Sequence, residues 1–471
     1  MNGGFKIGGV EVTHLTHDSR SVQTGSCFFA IKGQKTSGKM YIMQAVTNGA
    51  AIIVAQHSED LPTVSVPILF VDNVREYMAY MAKQFNNNIA DKMNIIGITG
   101  TNGKTTCSYI LQHLLSGTAF CRKRKVGIIG TLGAFVSDKC IEKGLTTPDP
   151  IQLHHIFSKM YKMGVRTVIM EVSAHAIHYH KIAGINLKIG IFTNLTQDHL
   201  DFFPSMAEYA NTKVKYMTSK SVRMAISNAD DEYGRIIIST HPKATGYSIN
   251  DASYLLISQG GSQFVIGRNR IRMNLAGRFN VSNALACIKA ARELRISWCK
   301  IKRRLATIEQ IPGRFNVFTH PRGFSIVIDY AHTPDSIEKI LSASRDLIQN
   351  LIGKLIVVFG CGGNRDRDKR EIMGKTAGQL ADFVVVTSDN PRDESPMAIM
   401  LQIEAGLKTT GVNYSLIENR MDATNTALDM ANICDVVVIA GKGAEITQEI
   451  AGIYYPYSDT EIVEEYISKG N

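Results

Sequence analysis

No Cys-x-x-Cys pair occurs among the eight cysteines, so neither a zinc cluster nor a disulfide framework is expected, and a reducing compartment fits. No apolar run reaches the roughly 18 residues that a membrane-spanning helix needs, so no span is predicted. The opening MNGGFKIGGVEV lacks a charged start followed by a long apolar core, so no secretory signal is expected. There is no internal repeat and no low-complexity tract. Lys and Arg outnumber Asp and Glu, 52 against 42, yet they are scattered. The densest basic run, Arg122-Lys123-Arg124-Lys125, is short and has no interleaved aromatics, which argues against nucleic acid as a partner. The positive excess is compatible with a nucleotide ligand. The 471 residues, 44% hydrophobic and 20% charged, suit about three folded domains.

Residues 1–92 read as a small α/β unit with apolar segments Ser26–Ile31, Ala51–Ala55 and Ile68–Val71, closed by a polar linker over 86–92. A second unit, 93–312, opens on a strand at Asn94–Ile98 and continues through a helix to Leu115. Strands follow at Thr167–Met170, Ile189–Thr193 and Met224–Ser227. The pattern breaks at Ile311-Pro312-Gly313, and 313–471 again alternates strands with helices. Its strands are Ser325–Ile328, Lys354–Phe359, Phe383–Thr387 and Asp435–Ala440. The fold class is therefore α/β with mostly parallel sheets.

The string Gly100-Thr101-Asn102-Gly103-Lys104-Thr105-Thr106 stands between a strand and a helix. Such a loop turns backbone N–H groups inward around phosphate oxygens, and the helix N-terminus adds positive potential. Lys104 is expected to reach the terminal phosphates and Thr105 to ligate Mg²⁺. The general P-loop's first glycine would fall at Ile98, with Gly97 one residue away.

Ligands of an open parallel sheet bind beyond the carboxyl ends of its strands. Three polar clusters fall there: Glu171-Val172-Ser173, Asn194 to His199, and Asn228 to Asp231. Glu171 is a candidate Mg²⁺ ligand, because hard cations take carboxylate oxygen, and His199 is a second. Ser205 and Glu208 have capping-box spacing, and the helix they open carries Lys213, which composition does not distinguish from Lys215.

Together these motifs resemble the Mur ligases, and within them the UDP-N-acetylmuramoyl-tripeptide synthetases. The likeness runs from His17-Asp18-Ser19-Arg20 to about Asp459. It takes in the phosphate loop, Thr146-Thr147-Pro148-Asp149, Asp198-His199-Leu200-Asp201, Gly277-Arg278-Phe279-Asn280 and Pro312-Gly313-Arg314-Phe315. It continues through Asp329 to Asp335, Gly360-Cys361-Gly362-Gly363, Asp389-Asn390-Pro391-Arg392 and Gly441-Lys442-Gly443.

The resemblance implies a three-domain architecture: a UDP-binding first domain, a central P-loop domain, and a Rossmann-like C-terminal domain that takes the amino acid. It implies a cytoplasmic, monomeric, ATP-dependent ligase of peptidoglycan synthesis with two Mg²⁺ ions. Its substrates would be ATP, a UDP-N-acetylmuramoyl dipeptide and meso-diaminopimelate. The lysine four residues after Tyr209, Lys213, would be carbamoylated and hold the second ion. Asn280, Arg314, Asp329 and His332 would lie near the nucleotide. Ser19 would meet the UDP, and Thr146, Thr147, Ser173 and Lys181 the sugar peptide. Arg365, Asp389, Asn390, Arg392, Gly441 and Glu445 would surround the amino acid. Arg392 would grip the distal carboxylate of diaminopimelate bidentately, a contact lysine cannot make.

The chain departs from the family pattern at Ser37, Ala174, Lys181, Phe203 and Ala444. Lys181 keeps a charge but loses a guanidinium fork. Alternatives are a lysine-adding, folylpolyglutamate-type or cyanophycin-type sister ligase, or a nucleotide switch without ligase chemistry.

Overall fold

The computed structural model describes residues 5–33, 36–57, 61–117, 125–200, 202–348 and 352–470; Arg122–Arg124 and Asp201 lie outside them. The chain forms two compact units. The first comprises 1–99, 116–190 and 215–224, and the second comprises 100–115, 191–214 and 225–471. No helix among the described residues is long and apolar enough to cross a membrane.

In the first unit, His14–Thr16, Ser26–Phe29, Ala50–Gln56 and Ile68–Val71 form a parallel four-stranded sheet. One face packs Cys27, Phe29, Ile52 and Val54 against Val74 and Met78 of the helix Val74–Phe85; the other packs Phe28 and Ile53 against Ile42 and Ala45. Alternate residues thus feed opposite cores, the period-two signature of a sheet covered on both sides. The linker expected over 86–92 is ordered: Asn87 and Asn88 take left-handed φ, and Ile89–Lys92 forms a 3₁₀ turn. Small amide side chains tolerate that conformation.

Strand Asn94–Thr99 of the same unit pairs in parallel with Thr167–Glu171, which pairs in parallel with Val126–Gly130. A hairpin, Gly133–Val136 with Lys139–Glu142, extends this run antiparallel. Asn94–Thr99 and Val126–Gly130 are apolar almost throughout, as strands buried on both faces must be.

The second unit contains a six-stranded sheet. Its order is Asn316–Thr319, Ser325–Asp329, Val436–Ala440, Leu355–Phe359, Phe383–Val386, Asn413–Leu416, with only the first pair antiparallel. Val327, Val357, Val384 and Val438 meet the helices Pro334–Arg345, Asp368–Leu380 and Pro396–Leu407. Ile328, Val358, Val385 and Ile439 meet Arg420–Met430 and Asp459–Lys469 on the opposite face. Between those last two helices, Arg420 pairs bidentately with Asp459, at 3.0 and 2.8 Å, with both side chains fully buried.

The strands predicted from sequence recur with ends moved by one or two residues. A three-stranded antiparallel sheet, Ser253–Ser258, Gly261–Ile266 and Asn269–Met273, was not among them. Its cues are the turns at Gly260-Gly261 and Gly267, and its first strand lacks strict apolar alternation. The predicted capping box is half formed: Glu208 N–H donates to Ser205 Oγ at 3.3 Å, and the helix begins at Met206.

Candidate active site

The phosphate loop is built around two glycines. Gly100 has φ +147°, and a Cβ there would collide with the Thr193 hydroxyl; Gly103 has φ +86°, and a Cβ would lie 2.5 Å from Asn283 Oδ1. Only glycine satisfies both the dihedral and the space. The loop is then pinned by the segment 193–196. Thr101 N–H donates to Asn194 O and Asn102 N–H to Asn194 Oδ1, each at 2.9 Å, while Thr193 Oγ donates to Asn102 O at 2.6 Å. Lys104 folds over the loop, its Nζ 2.9 Å from the carbonyl oxygens of Gly100 and Thr101. The helix Lys104–Leu115 starts at that lysine, so loop amides and helix dipole converge on one point.

Residues far along the chain complete this surround. Asp335 accepts from Asn102 Nδ2 at 2.7 Å, from Thr196 Oγ at 3.1 Å and from Lys339 at 2.8 Å. Arg314 stacks over Tyr330, 4.7 Å from the ring centroid, and donates to Thr105 Oγ at 3.2 Å. Asp329 accepts from Phe315 N–H at 2.7 Å; burial holds its carboxyl up at about 6, with Arg314 pulling the other way. His332 donates from Nδ1 to Tyr330 O at 2.8 Å, and burial, aided by Lys369, keeps the ring toward its neutral form. The carbonyl of Asn280 is buried with no partner among the described residues, an acceptor available to a nucleotide. Asp335 carries a testable consequence: Asp335→Ala leaves the loop amide unpaired. It should weaken ATP binding about tenfold by titration calorimetry, the scale of a hydrogen bond to a charged group.

Lys213 is 1% exposed. Its Nζ lies 2.6 Å from Tyr209 OH, which lies 3.1 Å from Thr101 Oγ. Burial first, and the Lys104 charge second, hold its pKa well below the usual lysine value, against Asp198 and Asp231. An amine so placed is held toward its neutral, nucleophilic form. His199 takes φ +58° and sits edge-on to Tyr209, with Nε2 3.4 Å from Asp198. Phe203 packs on the same tyrosine.

In the first unit, Glu171 accepts from Thr131 N–H at 3.2 Å and Thr131 Oγ at 3.0 Å. A Cβ at Gly130 would collide with this carboxylate. Thr146 Oγ touches Thr131 Oγ at 3.1 Å. Thr147 Oγ donates to Glu171 O at 2.9 Å and accepts from Ser173 N–H, while Lys181 donates to Thr147 O at 3.2 Å. Thr146, Thr147, Ser173 and Lys181 are thus gathered around Glu171. In the same unit a cleft of about 460 Å³ opens beside His17, Asp18 and Ser21. Ser19 points elsewhere, donating to Gln44 at 2.7 Å.

Beyond the strand ends of the six-stranded sheet lies a third group. Lys442, fully buried, donates to Asn390 Oδ1 and Glu445 Oε2, both at 2.9 Å, and Asn390 Nδ2 donates to Glu445 at 3.0 Å. Gly441 has φ +119°, and a Cβ there would collide with the Asp389 carboxylate. Arg392 bonds Glu449 and Gly363. Arg370, fully buried, forks onto Glu394 at 2.9 and 3.0 Å and holds that carboxyl down at about 2. Glu394 also accepts from Asn364 N–H at 2.6 Å, and Arg365 follows Asn364 directly. Thr131, Asp335, Arg370, Glu394 and Glu449 were not singled out from sequence. Asp335 stood inside a quoted motif; the others carry no local signal.

Three matches with the Mur ligases cover most of the chain. The family's catalytic domain matches residues 11–86, the middle domain 98–291 and the glutamate ligase domain 313–443. A UDP-N-acetylmuramoyl-L-alanyl-D-glutamate–2,6-diaminopimelate ligase of Caldanaerobacter subterraneus is 39% identical, over 98% of this chain and 95% of the relative. One of Aquifex aeolicus is 37% identical over 97% and 94%. A solved structure of a ligase of that name aligns with TM-score 0.68 at 30% identity, covering 98% of this chain and 95% of that one. The fold is shared more widely: a MurF ligase from Thermotoga maritima in complex with ADP aligns with TM-score 0.62 at 20% identity, covering 97% of each chain. With its phosphate loop and three-domain α/β architecture, this chain belongs to the Mur ligase family.

Proposed function

We propose that this protein adds meso-diaminopimelate to UDP-N-acetylmuramoyl-L-alanyl-D-glutamate at the expense of ATP, in cytoplasmic peptidoglycan precursor synthesis. The observation that carries the reading is the pinned loop Gly100–Thr106 with Lys104 folded over it. The substrates follow from the names of the relatives that match nearly the full length. The three family matches support divisions at 92/93 and 312/313; their assignment to UDP, ATP and amino acid in turn, and a monomeric state, belong to the same proposal.

A carboxylate is a poor electrophile. In this mechanism the acceptor's D-glutamate side-chain carboxylate attacks the γ-phosphorus and ADP leaves, giving an acyl phosphate. The amine of the incoming amino acid adds to that carbonyl, and phosphate departs. The protein's share is alignment and charge neutralisation. Loop amides and Lys104 offset charge on the transferring phosphoryl group. Arg314 and Asn280 would hold the nucleotide, with Asp329 and His332 beside it. Asp335 fixes the loop through Asn102.

The family implies Mg²⁺, a hard cation that seeks oxygen: within the second unit the Thr105 hydroxyl and a carbamoylated Lys213 would offer it oxygen and His199 a nitrogen, and within the first unit the Glu171 carboxylate would offer oxygen. No group of three or more His, Cys, Asp or Glu poised for a metal occurs among the described residues. Mg²⁺ commonly takes only one or two carboxylates and leaves the rest of its shell to phosphate and water. Bound there, two such ions would screen the triphosphate against the attacking carboxylate.

Thr146, Thr147, Ser173 and Lys181 are assigned to the sugar peptide, and the cleft beside His17 to Ser21 to its uridine end. Arg365, Asp389, Asn390, Arg392, Gly441 and Glu445 are assigned to diaminopimelate. Product mass analysis with ATP, UDP-muramoyl dipeptide and either diaminopimelate or lysine tests the whole reading. The diaminopimelate tripeptide is expected. A lysine product alone, or ATP hydrolysis indifferent to both co-substrates, overturns it. Arg392→Ala should lower kcat/KM for diaminopimelate about a hundredfold while the KM for ATP stays within twofold, since a charge-assisted fork is lost. Equal losses for both ligands would remove Arg392 from the amino-acid site.

A further inference from the structure

We infer that Glu449 is a positioning residue for amino-acid selection, holding the Arg392 guanidinium ready for a distal carboxylate. The inference rests on the assignment of Arg392 to diaminopimelate.

Arg392 has φ +52°, an uncommon conformation for a side chain with a Cβ. It persists only where the surroundings over-determine it. The segment 447–451 does so. Arg392 N–H donates to Glu449 O at 3.2 Å and Ala451 N–H to Arg392 O at 2.8 Å. Glu449 N–H reaches Asn390 Oδ1 at 2.9 Å, and the Gln448 amide reaches Asp389 O at 2.6 Å. The loop Asp389–Arg392 is thereby laid along this strand, with a parallel bridge between Arg392 and Ile450.

The side chains repeat the backbone pairing. Arg392 Nε–H donates to Glu449 Oε2 at 3.0 Å, and Nη1–H donates to Gly363 O at 2.8 Å. A guanidinium carries five N–H groups in a rigid fork. Two are used here, and Nη2 has no acceptor among the described residues. The edge formed by Nη1 and Nη2 is one that a carboxylate takes bidentately. The two side chains are 23% and 22% exposed. An ion pair this wet contributes little to folding, so its consequence is orientation. A long cationic side chain tethered at Nε and Nη1 presents its remaining edge in one direction instead of many. Diaminopimelate, with a distal carboxylate, gains from that edge; lysine, with only a distal ammonium, does not.

Glu449→Ala and Glu449→Gln separate tethering from charge, because glutamine keeps an oxygen acceptor for Nε–H. With the full-length enzyme, Glu449→Ala should raise the KM for diaminopimelate about tenfold, with the KM for ATP within twofold. The preference for diaminopimelate over lysine should fall by the same factor. Glu449→Gln should stay within about threefold of the parent. Thermal melts of both variants check that each is folded. An unchanged diaminopimelate KM in Glu449→Ala overturns the inference, as does a glutamine variant as impaired as the alanine one. Arg392→Ala, measured alongside, separates the two failures. If it loses diaminopimelate selectivity while Glu449→Ala does not, only the role of Glu449 falls. If it too is unaffected, the assignment of Arg392 itself is wrong.

Discussion

Lys104→Ala is expected to abolish measurable ligation, a loss of about a thousandfold or more, while the protein melts within a few degrees of the parent. The removal of a single preorganised donor from a developing anion commonly costs a hundred- to a thousandfold, and here the donor is a full cation. Lys104 Nζ contacts the carbonyls of Gly100 and Thr101. The loop's shape, however, rests on bonds that the variant keeps: Asn102 N–H to Asn194 and Thr193 Oγ to Asn102 O. The loop should therefore survive as a frame without its charge. Phosphate release with both co-substrates present measures the loss, and a melting curve measures the frame. Near-parental turnover would remove the loop from the chemistry. A collapsed melt would show that the lysine holds the loop together.

Lys213→Ala should lower kcat by about a hundredfold or more. An ammonium at this depth would face Lys104 in a site that must accept phosphates, so the cation is the wrong species there. Burial favours the free amine instead. A free amine can add to carbon dioxide: its lone pair attacks the carbon, a proton leaves, and the side chain ends in an anionic carbamate. That product offers oxygens to a hard cation where lysine offered none. In carbonate-depleted buffer the parent enzyme should lose activity, and bicarbonate should restore it, while Lys213→Ala responds to neither. Nuclear magnetic resonance after isotope-labelled bicarbonate should show one carbamate that the variant lacks. Activity insensitive to bicarbonate, with no labelled carbamate, would leave Lys213 as a buried partner of Tyr209 and nothing more.

Short-range order explains what could be read from the chain. The spacing Gly100, Gly103, Lys104 between an apolar strand and a helix is a local pattern, and backbone geometry at both glycines accounts for it. The same holds for Asp389–Arg392 and Gly441–Gly443, which follow strands whose apolar runs were plain. Partners joined across the fold were hidden. Asn102 and Asp335 are 233 residues apart, and nothing near either one names the other. Arg370 looks like a solvated helical charge, yet it is fully buried under Glu394. Glu449 sits on a short strand with no apolar rhythm. Lys213 shows the boundary most clearly. Composition does not separate it from Lys215, and only the family resemblance points to it; its burial and its contact with Tyr209 set it apart physically.

The turn at Gly313 and the turn at Gly443 press backbone on backbone. A Cβ at Gly313 would collide with Gly443 and Ala444, and one at Gly443 would lie 2.8 Å from Gly313 O. Both residues also have positive φ. Neither turn can therefore acquire a side chain without the other retreating, and the two are frozen as a pair. Engineered changes of the proposed amino-acid preference along this stretch must therefore leave Gly313 and Gly443 as they are. A library that randomises 441–449 evenly would spend much of its diversity on chains that never close.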